Sequence, residues 1–281
     1  MSKKIKTLIA TDFTEASYNA LNYADALFRN WYGLDVKYLL VHAFKPLVPY
    51  SNTPSMPVMT NNKLDSELKQ KLKQLAADLS KRLNDDNAIQ TYFEHGSLNE
   101  VIQKIIRDEQ PDLIVMGTRE KSAFQRMTVG TNTMEVASTV SCPVLAVAKE
   151  TTPDTVINMV LATDLKDFSL SHLSSNLLER LANFKESKLQ VLHVFPSKKE
   201  AEQSKRMEQL DFHNHLAHIK HEHVSIVDED ASEGIISFVN EHQSDLLILA
   251  LGERSFLEKI FHTDKTEKMV YHADVPVLIL N

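Results

Sequence analysis

The sequence predicts an α/β chain of two repeats, each a five-stranded parallel sheet with helices on both faces. Three observations carry this. Runs such as Leu113 to Met116 and Pro143 to Val147 are apolar with no polar alternation, as a parallel sheet covered on both sides requires. Such runs alternate with longer stretches of helical apolar spacing, giving β-α-β-α-β-α-β-α-β, which implies right-handed crossovers. The pattern then occurs a second time in the same chain.

Taken in order, Ile5 to Ala10 reads as a buried strand ending at Thr11-Asp12. Glu15 to Trp31 carries Ala16, Ala20, Tyr23, Ala24, Leu27 and Phe28 at helical spacing, and Gly33 stops it. A second strand runs from Val36 to Ala43. The stretch Lys45 to Asn61 contains Pro46, Pro49, Pro54 and Pro57, which exclude regular helix and make it a loop. Leu64 to Leu83 is a long charged helix with Leu64, Leu68, Leu72, Leu75 and Leu79 on one face. Ile89 to Phe93 is the third strand and Leu98 to Ile106 the third helix. A fourth strand, Leu113 to Met116, breaks at Gly117. Past Gly130-Thr131-Asn132 a fourth helix leads into the last strand, Pro143 to Val147.

The second half repeats this plan. Ala10-Thr11-Asp12 recurs as Ala162-Thr163-Asp164, a shift of 152, and His42 recurs as His193, a shift of 151. From Asp112 onward a constant shift of 133 aligns Asp245 to Leu280 without a gap, with eight identities in 36 positions, among them Asp112/Asp245, Glu120/Glu253 and Pro143/Pro276. Aligning Gly96 with Asp230, at a shift of 134, leaves the second repeat 17 residues shorter, the length of Lys45 to Asn61. The proline-rich loop is therefore expected in the first repeat alone, over the carboxyl end of its sheet. Domains are expected at 1–149 and 155–281, joined by a short polar linker that holds Pro153. About six residues span at most roughly 20 Å, so the two must touch.

Composition narrows the function. A formal charge of −7 and a pI near 5.9 argue against a nucleic-acid or anionic-membrane surface, both of which need clustered Lys and Arg. No run of about 18 apolar residues is present, and the apolar stretch near Met1 is too short for a signal-peptide core. One cysteine, Cys142, permits no intrachain disulfide, which fits a reducing compartment. A cytoplasmic protein is expected, with no nucleic-acid or membrane partner.

Gly117, a two-residue gap, Glu120, a nine-residue gap and then Gly130-Thr131 resemble the ATP motif of the universal stress protein family, G-x2-G-x9-G-[S/T]. The helix that follows and Cys142-Pro143-Val144-Leu145 are similar to that family too. Glu120 departs from it, placing a carboxylate where the family has its second glycine. The resemblance implies a Rossmann-like domain of the adenine nucleotide alpha hydrolase kind, in a stress-adaptation protein without a catalytic residue. It implies ATP or another adenine nucleotide as ligand, with Asp12 on the ribose or adenine side and Val41 offering main-chain contacts to the base. Gly117, Gly130, Thr131 and Asn132 would hold the phosphates. On the residues alone, Asp12 also reads as a helix cap and the two glycines as turn residues. Single-domain members commonly pair through their last strands, so a tandem chain implies such a dimer within one polypeptide, alone or as a homodimer of chains. A slow ATP hydrolase and an interaction scaffold are the competing classes.

The second repeat reads as closed. Gly117, Gly130, Thr131 and Asn132 become Ala250, Thr263, Asp264 and Lys265, and an aspartate at a helix start supplies the negative charge a phosphate would bring. Histidines gather at His213, His215, His218, His221 and His223. His215 and His218 would share a helix face, and His221 and His223 a strand face. Such a cluster suits zinc or nickel, but no fixed ligand spacing supports it, and a solvated helix end with no metal is the expectation. Cys142, before a proline in a buried strand, reads as inert core.

Overall fold

The computed structural model describes residues 4–30, 36–45, 62–83, 85, 88–118, 131–152, 156–163, 170–184, 187–204, 216–250 and 275–281. In the first half, β1 (Ile5–Ala10), α1 (Glu15–Asn30), β2 (Val36–Phe44), α2 (Asn62–Leu83) and β3 (Ile89–His95) are followed by α3 (Leu98–Glu109), β4 (Leu113–Thr118), α4 (Thr131–Thr139) and β5 (Val144–Ala148). The second half supplies β6 (Asn158–Ala162), α5 (His172–Ala182), β7 (Lys188–Phe195), α6 (Lys198–Ser204), β8 (Glu222–Val227), α7 (Ala231–Glu241), β9 (Leu246–Ala250) and β10 (Val277–Leu280).

All ten strands form one sheet, in the order β3-β2-β1-β4-β5-β10-β9-β6-β7-β8. Every neighbouring pair is parallel except the central one, where β5 meets β10 antiparallel. The expected five-stranded sheets are thus two halves of a continuous sheet, joined through the last strand of each repeat. At this seam Leu278 lies opposite Leu145, flanked by the pairs Val277/Ala146 and Ile279/Val144. Leu145 and Leu278 are themselves equivalent under the shift of 133. A pseudo-twofold axis therefore passes between them, and the interface is self-complementary in the manner of a symmetric dimer.

Alternation along the strands explains why they are apolar throughout. Ile9 and Leu145 face one layer with α1, α2 and α5, whereas Leu8, Ala10 and Val144 face the other with α3, α4 and α7. Each layer contains residues of both repeats, so the two cores run across the seam.

Several repeat identities have structural causes. Asp112 Oδ2 accepts from the Lys6 N–H at 2.9 Å, and Asp245 Oδ2 accepts from Ile157 and Asn158 N–H at 2.9 and 2.7 Å. Each carboxylate ties the entry of the fourth strand of its repeat to the start of the first. Pro143 and Pro276 offer carbonyls to Ile114 and Leu247 N–H. Strand register bears out the shifts as well, since Thr7 pairs with Leu113 and Met159 with Leu246.

The length difference between repeats needs correction. The paired residues Phe44 and His95 are 51 apart, whereas Phe195 and Val227 are 32 apart, so the second repeat lacks 19 residues between these strands. The helix caps, Ser97 and Asp230, stand at a shift of 133, so one residue is regained in the turn before α7. Gly96 matches Asp228, whose N–H donates to Phe195 O as that of Gly96 does to Phe44 O. Of the proline-rich loop, 46–61 lies outside the described residues.

Candidate functional site

Strand order reverses beside β1: β2 and β3 lie on one side of it, β4 and β5 on the other. Crossovers leave in opposite directions at such a point, opening a crevice outside the carboxyl ends of the two central strands. Ala10 pairs with Met116, so Thr11-Asp12 and Gly117-Thr118 emerge side by side at that edge. Val41 sits opposite Ala10 on the other flank, three residues before the end of β2 instead of at its end. The fold thus brings Asp12, Val41 and Gly117 to one edge, although they are far apart in sequence. Thr131 opens α4 and Asn132, exposed, follows it. Gly130 and Glu120 lie outside the described residues, as do Glu253, Thr263, Asp264 and Lys265.

Asp12, Val41 and Gly117 are each engaged locally. Asp12 Oδ1 accepts from the Thr14 N–H at 3.1 Å and from the Thr14 hydroxyl. Thr14 Oγ1 in turn accepts from Ser17 N–H at 3.4 Å, a weak cap on the first turn of α1. Thr11 Oγ1 accepts from Phe13 N–H, and Phe13 takes a left-handed φ of 61° to make the corner between strand and helix. Val41 is buried in the core, and its carbonyl accepts from Thr11 N–H at 2.8 Å. Only its main chain faces the edge. Gly117 is where α1 crosses β4: a Cβ there would stand 2.4 Å from Ala16 O and 2.7 Å from Ser17 N. That glycine has a packing role, whatever binds nearby.

Sequence reasoning took His42 and Thr11 only as markers of the repeat. In the structure they are partners. His42 Nδ1 donates to Thr11 O at 2.8 Å, and His193 Nδ1 donates to Thr163 O at the same distance, so both repeats fasten the end of their second strand to the end of their first. The His42 ring lies against Phe13 and Phe93, with centroids 4.6 and 5.6 Å away. Its Nε2 is buried with no protein hydrogen-bond partner. The signal was present in the matched shifts of 152 and 151, which placed Thr11/Thr163 and His42/His193 at strand ends together.

Displaced pKa values trace to local structure. Burial pushes the Tyr92 hydroxyl up, and its hydrogen bond to Glu109 at 2.8 Å adds to this. The same bond, with Lys6 beside it, holds Glu109 below the ordinary range. Ser97, through its hydroxyl and its N–H, lowers Glu100 in the capping box of α3. Burial pushes the Cys142 thiol far up, and its Sγ donates to Pro111 O at 3.3 Å. Cys142 is accordingly expected to resist iodoacetamide in the native protein and to react fully in denaturant. Alkylation at comparable rates in the two states, followed by intact mass, would contradict that assignment.

The histidine cluster is partly described. His218 is exposed in a turn at 216–219 whose ends, Leu216 and Ile219, are buried, which corrects the expected helix face shared with His215; His213 and His215 lie outside the described residues. His221 and His223 do share a face, with Nε2 atoms 3.1 Å apart. Among the described residues no group of three or more His, Cys, Asp or Glu is placed to hold a metal ion, and no helix is long and apolar enough to cross a membrane.

Comparison with known proteins agrees with this architecture. A universal stress protein from Archaeoglobus fulgidus DSM 4304 superposes with a TM-score of 0.67 at 17% identity, covering 98% of this chain and 97% of its own. A putative universal stress protein from Pseudomonas aeruginosa UCBPP-PA14 gives 0.57 at 13% identity, over 98% and 92%. At these identities the likeness is one of fold. No curated protein matches the chain at a significant level. The model of the Universal stress protein family matches residues 3–148 and again 158–281. With both halves of its single sheet matched in this way, the chain belongs to the universal stress protein family, as a tandem member.

Proposed function

We propose that this chain is a cytoplasmic, non-catalytic binding protein of stress adaptation, built from domains at 1–149 and 155–281, with at most one, degenerate, adenine-nucleotide site, in its first repeat. The observation that supports the reading is the edge where strand order reverses, to which Asp12, Val41 and Gly117 are brought, with Thr131 and Asn132 opening the next described helix along the chain. Main-chain N–H groups at a helix start have no intrahelical partners and favour an anion, and the residue before them in the sequence, Gly130, carries no side chain. ATP or a related adenine nucleotide is the ligand this arrangement suits. In the second repeat Asp264 and Lys265 replace the small polar pair, which supports a closed site.

Glu120 makes the first site weak. A carboxylate about 6 Å from a phosphate costs about 3 kcal/mol at an effective dielectric of about 20, before screening. Even half of that weakens binding about tenfold. Glu120→Gly is therefore expected to tighten ATP binding by about that factor, and Glu253→Gly to change nothing. Titration calorimetry on the two variants decides between them: equal gains from both, or none from the first, would remove the charge argument.

A second reading, a scaffold that binds no nucleotide, draws on the structural work already done by two of the candidate residues, since Asp12 holds Thr14 and Gly117 accommodates α1. Absence of ATP binding in both the folded parent and Glu120→Gly favours it.

A further inference from the structure

Away from the nucleotide edge, at the outer limit of the second repeat, two imidazoles converge. β8 is the terminal strand of the ten-stranded sheet. His223 lies within it, paired with Val191, and His221 comes one residue before its start. Residues two apart on an extended chain point the same way, and here the two Nε2 atoms stand 3.1 Å apart, with the rings 78° from coplanar. Both side chains are half-buried on this terminal strand.

We propose that His221 and His223 form a two-imidazole chelate for a divalent transition-metal ion such as Zn²⁺ or Ni²⁺, with water filling the remaining positions. The spacing is the first argument. Two nitrogens about 2.0–2.1 Å from one ion lie about 3.3 Å apart at a tetrahedral angle and about 2.9 Å apart at a right angle. The observed 3.1 Å falls between, so neither backbone nor rotamer has to move far. The second argument is the outer shell. His221 Nδ1 donates to Ile219 O at 2.7 Å, which fixes its tautomer, leaves Nε2 as the lone-pair nitrogen and orients the ring, as the ring N–H of a metal-bound histidine commonly does. Coordination through both Nε2 atoms places the proton of each neutral ring on Nδ1.

The pair belongs to the second repeat alone. At the shift of 132 set by strand register, His221 and His223 correspond to Ile89 and Thr91 of β3, which hold no ligand atoms of this kind.

Titration of the full chain with zinc chloride and, separately, nickel chloride tests the proposal, followed by calorimetry and by thermal melting. One equivalent is expected to bind, and His221→Ala and His223→Ala are each expected to weaken it by about tenfold or more, with His218→Ala as the unaffected control. Should an alanine variant misfold, His221→Gln and His223→Gln, which keep the bulk and a polar tip, take its place. Nitrogen couplings from two imidazoles in the electron paramagnetic resonance spectrum of the Cu²⁺-loaded protein, lost in either variant, would support the same pair. No binding by the parent protein, or binding that survives either substitution, overturns it.

Discussion

The isolated first repeat, residues 1–149, is expected to self-associate as a symmetric dimer through β5, and Leu278→Ala in the full chain is expected to cost about 2–5 kcal/mol of stability. Both follow from the seam. Cutting the chain after the first repeat exposes one whole edge of β5, with unpaired main-chain groups and the side chains of Val144, Leu145, Ala146 and Val147, three of which are at most 2% exposed in the intact protein. Such an edge seeks another strand. Because Leu145 already pairs with its own equivalent, Leu278, a second copy of the fragment offers the same partner in the same antiparallel register. Sedimentation of the fragment at micromolar concentration would reveal the dimer, and a stably monomeric, folded fragment would argue against it. In the full chain Leu278 is 2% exposed in the layer that runs across both repeats, so truncation there opens a cavity beneath the axis rather than at a margin. Urea unfolding of Leu278→Ala measures the loss, and a change below about 1 kcal/mol would place the seam outside the cooperative unit.

How much of this could be read from the sequence depended on whether a residue acts through its neighbours in the chain or through distant ones. Apolar strands, amphipathic helices and the repeat are local or periodic features, and β1 fell where Ile5 to Ala10 pointed; β4, however, does not break at Gly117 but runs on through Gly117 and Thr118, which pair with Val147 and Ala148. The antiparallel union of β5 and β10 was within reach only through the resemblance, because no local property of Val144-Leu145-Ala146 distinguishes an antiparallel partner from a parallel one. The site was legible as a set of positions: Asp12, Val41 and Gly117 meet at one edge. Their partners were not. That the Asp12 carboxylate turns onto Thr14, or that Ala16 presses on Gly117, depends on the angle at which α1 leaves its strand, and the left-handed Phe13 sets that corner with no glycine to announce it. The repeat alignment erred at Gly96 because a one-residue difference in a turn is invisible until the strand register is known.

Replacement of Gly117 by alanine is expected to destabilise the protein by about 1–3 kcal/mol in the absence of any nucleotide. The new methyl group would sit 2.4 Å from Ala16 O, 2.5 Å from Ala16 C and 2.7 Å from Ser17 N, all main-chain atoms of the first turn of α1. A flexible side chain could swing aside. A helix backbone has to move as a body, and α1 packs on both β4 and β5. Ala250 stands at the equivalent position of the second repeat, 2% exposed, at the end of β9. The reverse change, Ala250→Gly, removes a methyl group instead of adding one and is expected to cost only about 0.5–1 kcal/mol, through the added freedom of the unfolded chain. Chemical denaturation of the two single variants, both free of nucleotide, measures the asymmetry. If Gly117→Ala unfolds at the same denaturant concentration as the parent, the glycine is not needed for packing, and its place in the family motif would then have to be explained by a bound phosphate alone.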